Sequence, residues 1–320
     1  MKTLFNSMAH QAKGLEAMLR NIGSSSRASN DQAAGLGDAP VAKVAAVPAR
    51  PRCRTIAVAA GKGGVGKSSI SVNLGTALSL AGKDVILLDA DMGLANLDVL
   101  LGLAPTRNLG HLLDGSCGIN EILINGPHGV RIVPAGSGAR RLAHASTAEL
   151  AAVIGAFDLL DEQPDYLIVD TAAGVGDSVA LFAAAADDVL LVVCDEPASI
   201  TDAYALLKVL TKNFGVKSCQ MVANQVANAR EGKHLYEKLN RAVSHFLGMR
   251  LDYMGFVPRD ERLRQAIRRQ TTIVDTDPNS PSGAALKKLA QSVLAWGAPS
   301  AEVVDRVTFF SGSTHEQVGA

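Results

Sequence analysis

Two lysines, Lys62 and Lys67, lie in one glycine-rich run, Gly61-Lys62-Gly63-Gly64-Val65-Gly66-Lys67-Ser68. The run fits G-x-x-x-x-G-K-[ST], the pattern of a phosphate-binding loop, which requires a strand before it and a helix after it. Glycines there let successive backbone N–H groups converge on phosphate oxygens at the positive end of a helix. Lys67 is expected to reach the β- and γ-phosphates of ATP, and the Ser68 hydroxyl to ligate Mg²⁺. Gly61, Gly63, Gly64, Val65, Gly66 and Ser69 complete the cradle. Lys62 is an addition, because an ordinary loop of this kind has no use for a second cation at that point.

Three aspartates sit where apolar runs end. Asp170 closes Tyr166-Leu167-Ile168-Val169 and is expected to hold Mg²⁺ directly or through water, as a Walker-B aspartate does. Asp89 and Asp91 are two residues apart, and at an extended strand end they would share a face. One would orient the metal shell while the other positions or polarises an attacking water. A single aspartate at a strand end commonly caps a helix or forms a turn. Three around one phosphate loop point to hydrolysis instead. Gly174 is expected to bring a backbone N–H to the γ-phosphate and so to sense ATP against ADP. Asn224 and Pro258, at two later strand ends, are expected to frame adenine, the amide on its edge and the proline on its face.

These side chains need strand ends to carry them. Apolar, β-branched or leucine-rich runs at 54–60, 84–89, 130–134, 166–170, 189–194, 218–223 and 251–257 read as buried parallel strands. Helical patterns fill 69–81, 94–102, 146–160, 178–187, 199–213, 232–247, 260–270 and 282–296. The alternation predicts an α/β fold, a doubly wound and mainly parallel sheet with helices on both faces. Ligands of such sheets bind beyond the carboxyl ends of the strands. The expected organisation is an N-terminal segment, 1–53, a nucleotide-binding domain, 54–297, and a C-terminal tail, 298–320. Within the first segment, Leu4 to Ile22 carry apolar residues near helical spacing, and a Gly/Ser/Ala/Pro-containing stretch has the composition of a flexible linker.

With 320 residues, 48% of them hydrophobic, the chain can bury a large core. Its 31 basic and 31 acidic residues balance, so no global field draws it to nucleic acid or membrane. Four scattered cysteines without C-x-x-C spacing read as reduced, buried thiols of a cytoplasmic protein rather than metal ligands. No apolar run reaches the roughly 18 residues of a membrane-spanning helix.

The loop with its extra lysine resembles the deviant Walker-A signature of the MinD/ParA ATPases, a SIMIBI-class group of P-loop NTPases. The runs GKGGVGKSSISVNLG, LLDADMGLANLDVLLGL, VRIVPAGSG, IVDTAAGVGDSV and VLLVVCDEPASITDAYALLK extend the likeness across residues 54–270, and the last of them is characteristic of the flagellar branch. The resemblance implies an ATP-dependent homodimer, nucleotides sandwiched between subunits, in which Lys62 acts on the partner's phosphates and Lys67 on its own. It assigns Asp91 to the attacking water and Asp89 to the metal side. A cation arriving at a transferring phosphoryl group stabilises transition-state charge, as an arginine finger does.

Asp31-Gln32-Ala33-Ala34-Gly35-Leu36 resembles the DQAxxLR segment through which flagellar members stimulate FlhF, an SRP-type GTPase, with Gly37 standing where the motif has arginine. The same likeness makes flagellar transcription activators or switch proteins candidate partners. MinD-type chains end in a basic amphipathic helix that contacts the inner face of the membrane. Here Val303, Val304, Val307, Phe309 and Phe310 would supply the apolar surface, with Arg306 the only nearby cation. Two other readings compete with a flagellar regulator. One is a ParA-like DNA-partitioning ATPase using Arg259, Arg262, Arg264, Arg268 and Arg269, which the neutral overall charge and the lack of interleaved aromatics disfavour. The other is a metabolic ATP-dependent enzyme, for which no second substrate site is legible.

Overall fold

In the computed structural model, which describes residues 52–136, 144–297 and 309–310, strands and helices alternate. β1 (Arg54–Ala60) leads through the phosphate loop into α1 (Lys67–Leu80), followed by β2 (Val85–Ala90), α2 (Leu97–Leu101), α3 (Leu109–Leu113) and α4 (Ile119–Ile122). Then come β3 (Ile124–Asn125), β4 (Arg131–Val133), α5 (Thr147–Ala156), β5 (Tyr166–Ala173), α6 (Asp177–Ala185), β6 (Asp188–Val193) and α7 (Pro197–Phe214). The chain closes with β7 (Ser218–Val226), α8 (Ala229–Leu247), β8 (Arg250–Pro258), α9 (Glu261–Arg268), α10 (Ile273–Thr276) and α11 (Pro281–Leu294). The Asp31–Leu36 segment, Val303, Val304, Arg306 and Val307 lie outside the described residues.

The strands form one sheet in the order β3-β4-β2-β5-β1-β6-β7-β8, parallel except for β3 against β4. β1 and β2 are buried almost throughout because both faces of the sheet are covered. Alternation divides their side chains between two cores. Ala57, Ala59, Ile86 and Leu88 pack with Leu150, Leu181, Leu206 and Leu235 of α5 to α8. Ile56, Val58 and Leu87 pack with Ile70 and Leu74 of α1 and Leu289 and Val293 of α11. The four cysteines are free and buried, as their scatter suggests.

Three departures from the expected elements have physical causes. The helix expected over 94–102 is only α2, because the backbone before it turns around the Asp89 and Asp91 carboxylates. The helix expected over 260–270 stops at Arg268, and Gln270, at a φ of 57°, redirects the chain into α10. The third concerns the tail: Phe309 and Phe310 are not surface residues but are buried in the core beneath α5 and α6. Phe309 meets Phe157 edge-on at a centroid distance of 5.4 Å and stacks on Phe182 at 6.3 Å; Phe310 meets Phe157 edge-on at 6.4 Å. Apolar area that could have faced lipid is spent on other aromatic rings. Phe309→Ala should therefore cost roughly 3–5 kcal/mol of folding stability, as for a buried core phenylalanine. An unchanged thermal melt would show that the ring contributes nothing to the core.

Candidate active site

The strand order places the ends of β2, β5 and β1 side by side, which gathers the phosphate loop and the aspartates at one edge of the sheet. The loop closes onto α1 through Gly66, whose φ of 87° suits a residue without a Cβ. Gly61 is required for another reason: a Cβ there would lie 2.2 Å from the backbone of Asp202 on α7.

Lys67 and Asp170 are both buried, with Nζ 2.8 Å from Oδ1. Ser71 Oγ donates to the same oxygen at 2.7 Å, while Asp170 Oδ2 is buried and has no hydrogen-bond partner among the described residues. Asp89 is the register partner of Asp170 across β2 and β5. Its carboxylate accepts the backbone N–H groups of Asp91, Asn96 and Leu97 at 3.1, 2.9 and 3.1 Å. Burial, and then the neighbouring Asp170 charge, push the Asp89 carboxyl up to about 7 against the downward pull of those three bonds. Asp91 is half-buried, and its Oδ1 accepts the Leu94 N–H at 3.0 Å. The two neighbouring aspartates thus differ: one is a buried carboxyl within the strand, the other a partly exposed turn residue beyond it.

Ser68 Oγ lies 3.4 Å from Lys67 Nζ, and Ser69 Oγ is buried without a hydrogen-bond partner among the described residues. Orphaned oxygens at Asp170 and Ser69 fit a site that completes its hydrogen bonds with a ligand. Among the described residues no group of three or more His, Cys, Asp or Glu is arranged to hold a metal. Ser68, Asp89 and Asp170 would therefore share Mg²⁺ with phosphate and water oxygens, the usual habit of that ion.

Other expected residues are engaged differently. The Gly174 N–H donates to Ala60 O at 2.9 Å, so reaching a phosphate requires exchanging that bond. Asn224 is buried and donates through Nδ2 to Val65 O at 2.6 Å, bracing the phosphate loop. Pro258 ends β8, bonded in register to β7. Lys62 is paired elsewhere: its Nζ lies 2.6 Å from Glu196 Oε2, at the start of α7. The hydrogen bond to Glu196 raises the Lys62 pKa and lowers that of Glu196. Glu196 escapes a reading of the sequence, although Asp195-Glu196-Pro197 marks a helix start by its proline.

Residues 56–281 match the CobQ/CobB/MinD/ParA nucleotide binding domain. The chain is 48% identical over 247 residues to the antiactivator FleN of Pseudomonas aeruginosa, a match covering 77% of this chain and 88% of that protein. It is 36% identical over 242 residues to the flagellum site-determining protein YlxH of Helicobacter pylori, covering 73% and 80%. The fold resembles the cell division ATPase MinD of Pyrococcus furiosus with a TM-score of 0.65 at 23% identity, covering 76% of this chain and 99% of that one. The phosphate loop, its buried lysine–aspartate pair and these likenesses make the chain a member of the MinD/ParA family of nucleotide-binding ATPases.

Proposed function

We propose that the protein is an ATP-switched dimer that regulates flagellar number and placement. The observation that carries this reading is the division of labour between the two loop lysines. Lys67 is buried on Asp170, whereas Lys62 lies outside on Glu196, 38% exposed, where a second subunit can present its phosphates. Leu94 and Val175, which follow the ends of β2 and β5, are 75% and 45% exposed and add apolar surface to that face. The names of FleN and YlxH supply the flagellar context. ATP with Mg²⁺ is the proposed ligand, and a magnesium–ADP complex of a MinD from Pyrococcus horikoshii supports that choice. The metal would neutralise charge on the phosphate oxygens. Lys67 holds the phosphates and Asp91 orients water; any adenine contact by Asn224 would use its Oδ1, because its Nδ2 is engaged on Val65 O, with Pro258 beside it on the base.

Lys62→Ala should retain most ATP affinity yet lose the ATP-dependent dimer and at least tenfold of turnover, since only a cation supplied in trans is missing. Light scattering with ATP reads the assembly and phosphate release reads the rate. A Lys62→Ala protein that dimerises and hydrolyses normally would sink the model. Stimulation of an FlhF-type GTPase through Asp31–Leu36, contact with a flagellar activator or switch protein, and a cytoplasmic location with peripheral attachment at the inner face of the cell membrane or at the cell pole belong to the same proposal on the strength of the family likeness. No helix among the described residues is long and apolar enough to cross a membrane. The DNA-partitioning alternative draws less support, because Arg262 pairs with Asp277 and both Arg264 and Arg268 approach Glu261.

A further inference from the structure

A regular strand sends successive side chains to opposite faces. β7 breaks that rule at its carboxyl end. Asn224 is paired with Val257 and Val226 with Pro258, so Gln225 is an extra residue, and its φ is 57°. One unpaired residue of this kind is a β-bulge, a device that re-aims side chains. Here two adjacent amides reach the phosphate loop. Asn224 Nδ2 donates to Val65 O at 2.6 Å and Gln225 Nε2 donates to Gly64 O at 3.3 Å. A Cβ on Gly66 would lie 2.4 Å from the first amide nitrogen and 3.6 Å from the second, which places both against the same turn.

The bulge is secured from β8. Arg259 Nε donates to Gln225 O at 2.7 Å, and the Arg259 N–H to Val226 O at 2.9 Å. A left-handed backbone is uncommon for a residue with a side chain and persists where its surroundings over-determine it. Glycine would fit this backbone better, so the side chain of Gln225 needs a reason to be there.

Peptide planarity supplies the reason. A trans peptide points its C=O and the following N–H in opposite directions. Pinning the Gly64 and Val65 carbonyls therefore also fixes the N–H groups of Val65 and Gly66. We propose that Gln225 is a positioning residue of the nucleotide site: with Asn224 it holds two consecutive peptide planes so that their N–H groups face phosphate, and Arg259 fixes the bulge that aims it. The inference rests on Gly61–Ser68 being the phosphate cradle.

Gln225→Gly removes the amide but suits the backbone. The nucleotide-free melting temperature should hold or rise, while the Kd for Mg-ATP and Mg-ADP increases roughly five- to tenfold, the worth of one net hydrogen bond. Gln225→Glu, which sets a carboxylate against the Gly64 carbonyl, should weaken both nucleotides further. Calorimetric titration and thermal melts of the full chain give the two readouts. Wild-type affinity in both variants overturns the proposal. A melting temperature that falls together with affinity in Gln225→Gly also overturns it, because the residue would then be merely structural. Failure of the wild-type protein itself to bind ATP would reject the cradle, a result distinguishable from either.

Discussion

Lys67→Ala should weaken ATP binding by at least about a hundredfold, equivalent to roughly 2.7 kcal/mol. Two losses combine in this variant. The first is the cation that meets the β- and γ-phosphates. The second is internal to the protein: Lys67 Nζ is 2.8 Å from Asp170, only 1% of whose side chain is exposed, and Asp89 lies opposite Asp170 in the sheet. Without the lysine, two buried carboxyl groups remain as neighbours and Asp170 has lost its cation. Removing one member of a buried ion pair typically costs about 3–5 kcal/mol of stability. The nucleotide-free melting temperature should therefore fall along with affinity. Calorimetric titration with ATP checks the first effect and a thermal melt the second. Unchanged affinity and turnover would contradict the assignment of the loop.

Asp91→Ala should behave in the opposite way, sparing binding and losing chemistry. Its carboxylate is partly exposed and, among the described residues, holds the Leu94 N–H alone, so its removal leaves the buried Lys67–Asp170 pair intact. If Asp91 orients or polarises the attacking water, turnover should fall about 10²- to 10⁴-fold. ATP would then persist on the protein, and ATP-bound dimers should accumulate as a larger species in light scattering. A variant that stays monomeric and still hydrolyses ATP would remove Asp91 from the mechanism. The Lys67→Ala and Asp91→Ala results together separate a failure to bind from a failure to react.

The sheet was legible because its strands are apolar on both faces, and the loop because the mechanism constrains nearly every position from Gly61 to Ser68. Asp89 and Asp170 were legible for a similar reason, since each ends an apolar run. Their being register partners was not, because pairing between β2 and β5 depends on strand order. α3, α4 and β3 span five, four and two residues, too short for a hydrophobic period to register. Glu196 and Gln225 are not legible in the sequence. The sequence shows a charged residue before a helix and a polar residue at a strand end, but neither the ion pair to Lys62 nor the bulge is encoded in local spacing. Phe309 and Phe310 show the limit of a composition argument: two aromatic residues in a tail serve lipid or core equally well until the chain path is known.

The strand order also bears on how the protein is made. β1 is the first strand of the sheet in the sequence, yet it lies between β5 and β6. Its register partner for Thr55 is Leu167, about 110 residues later, which at 5–20 residues per second takes on the order of ten seconds to synthesise. Until then the nascent chain carries a complete phosphate-loop sequence with no neighbouring strand and no Asp170. Non-local parallel pairing of this sort slows folding and prolongs the exposure of apolar strands. The sheet neighbours that complete the phosphate loop therefore emerge only after the chain has passed β5, so nucleotide binding is expected late in synthesis.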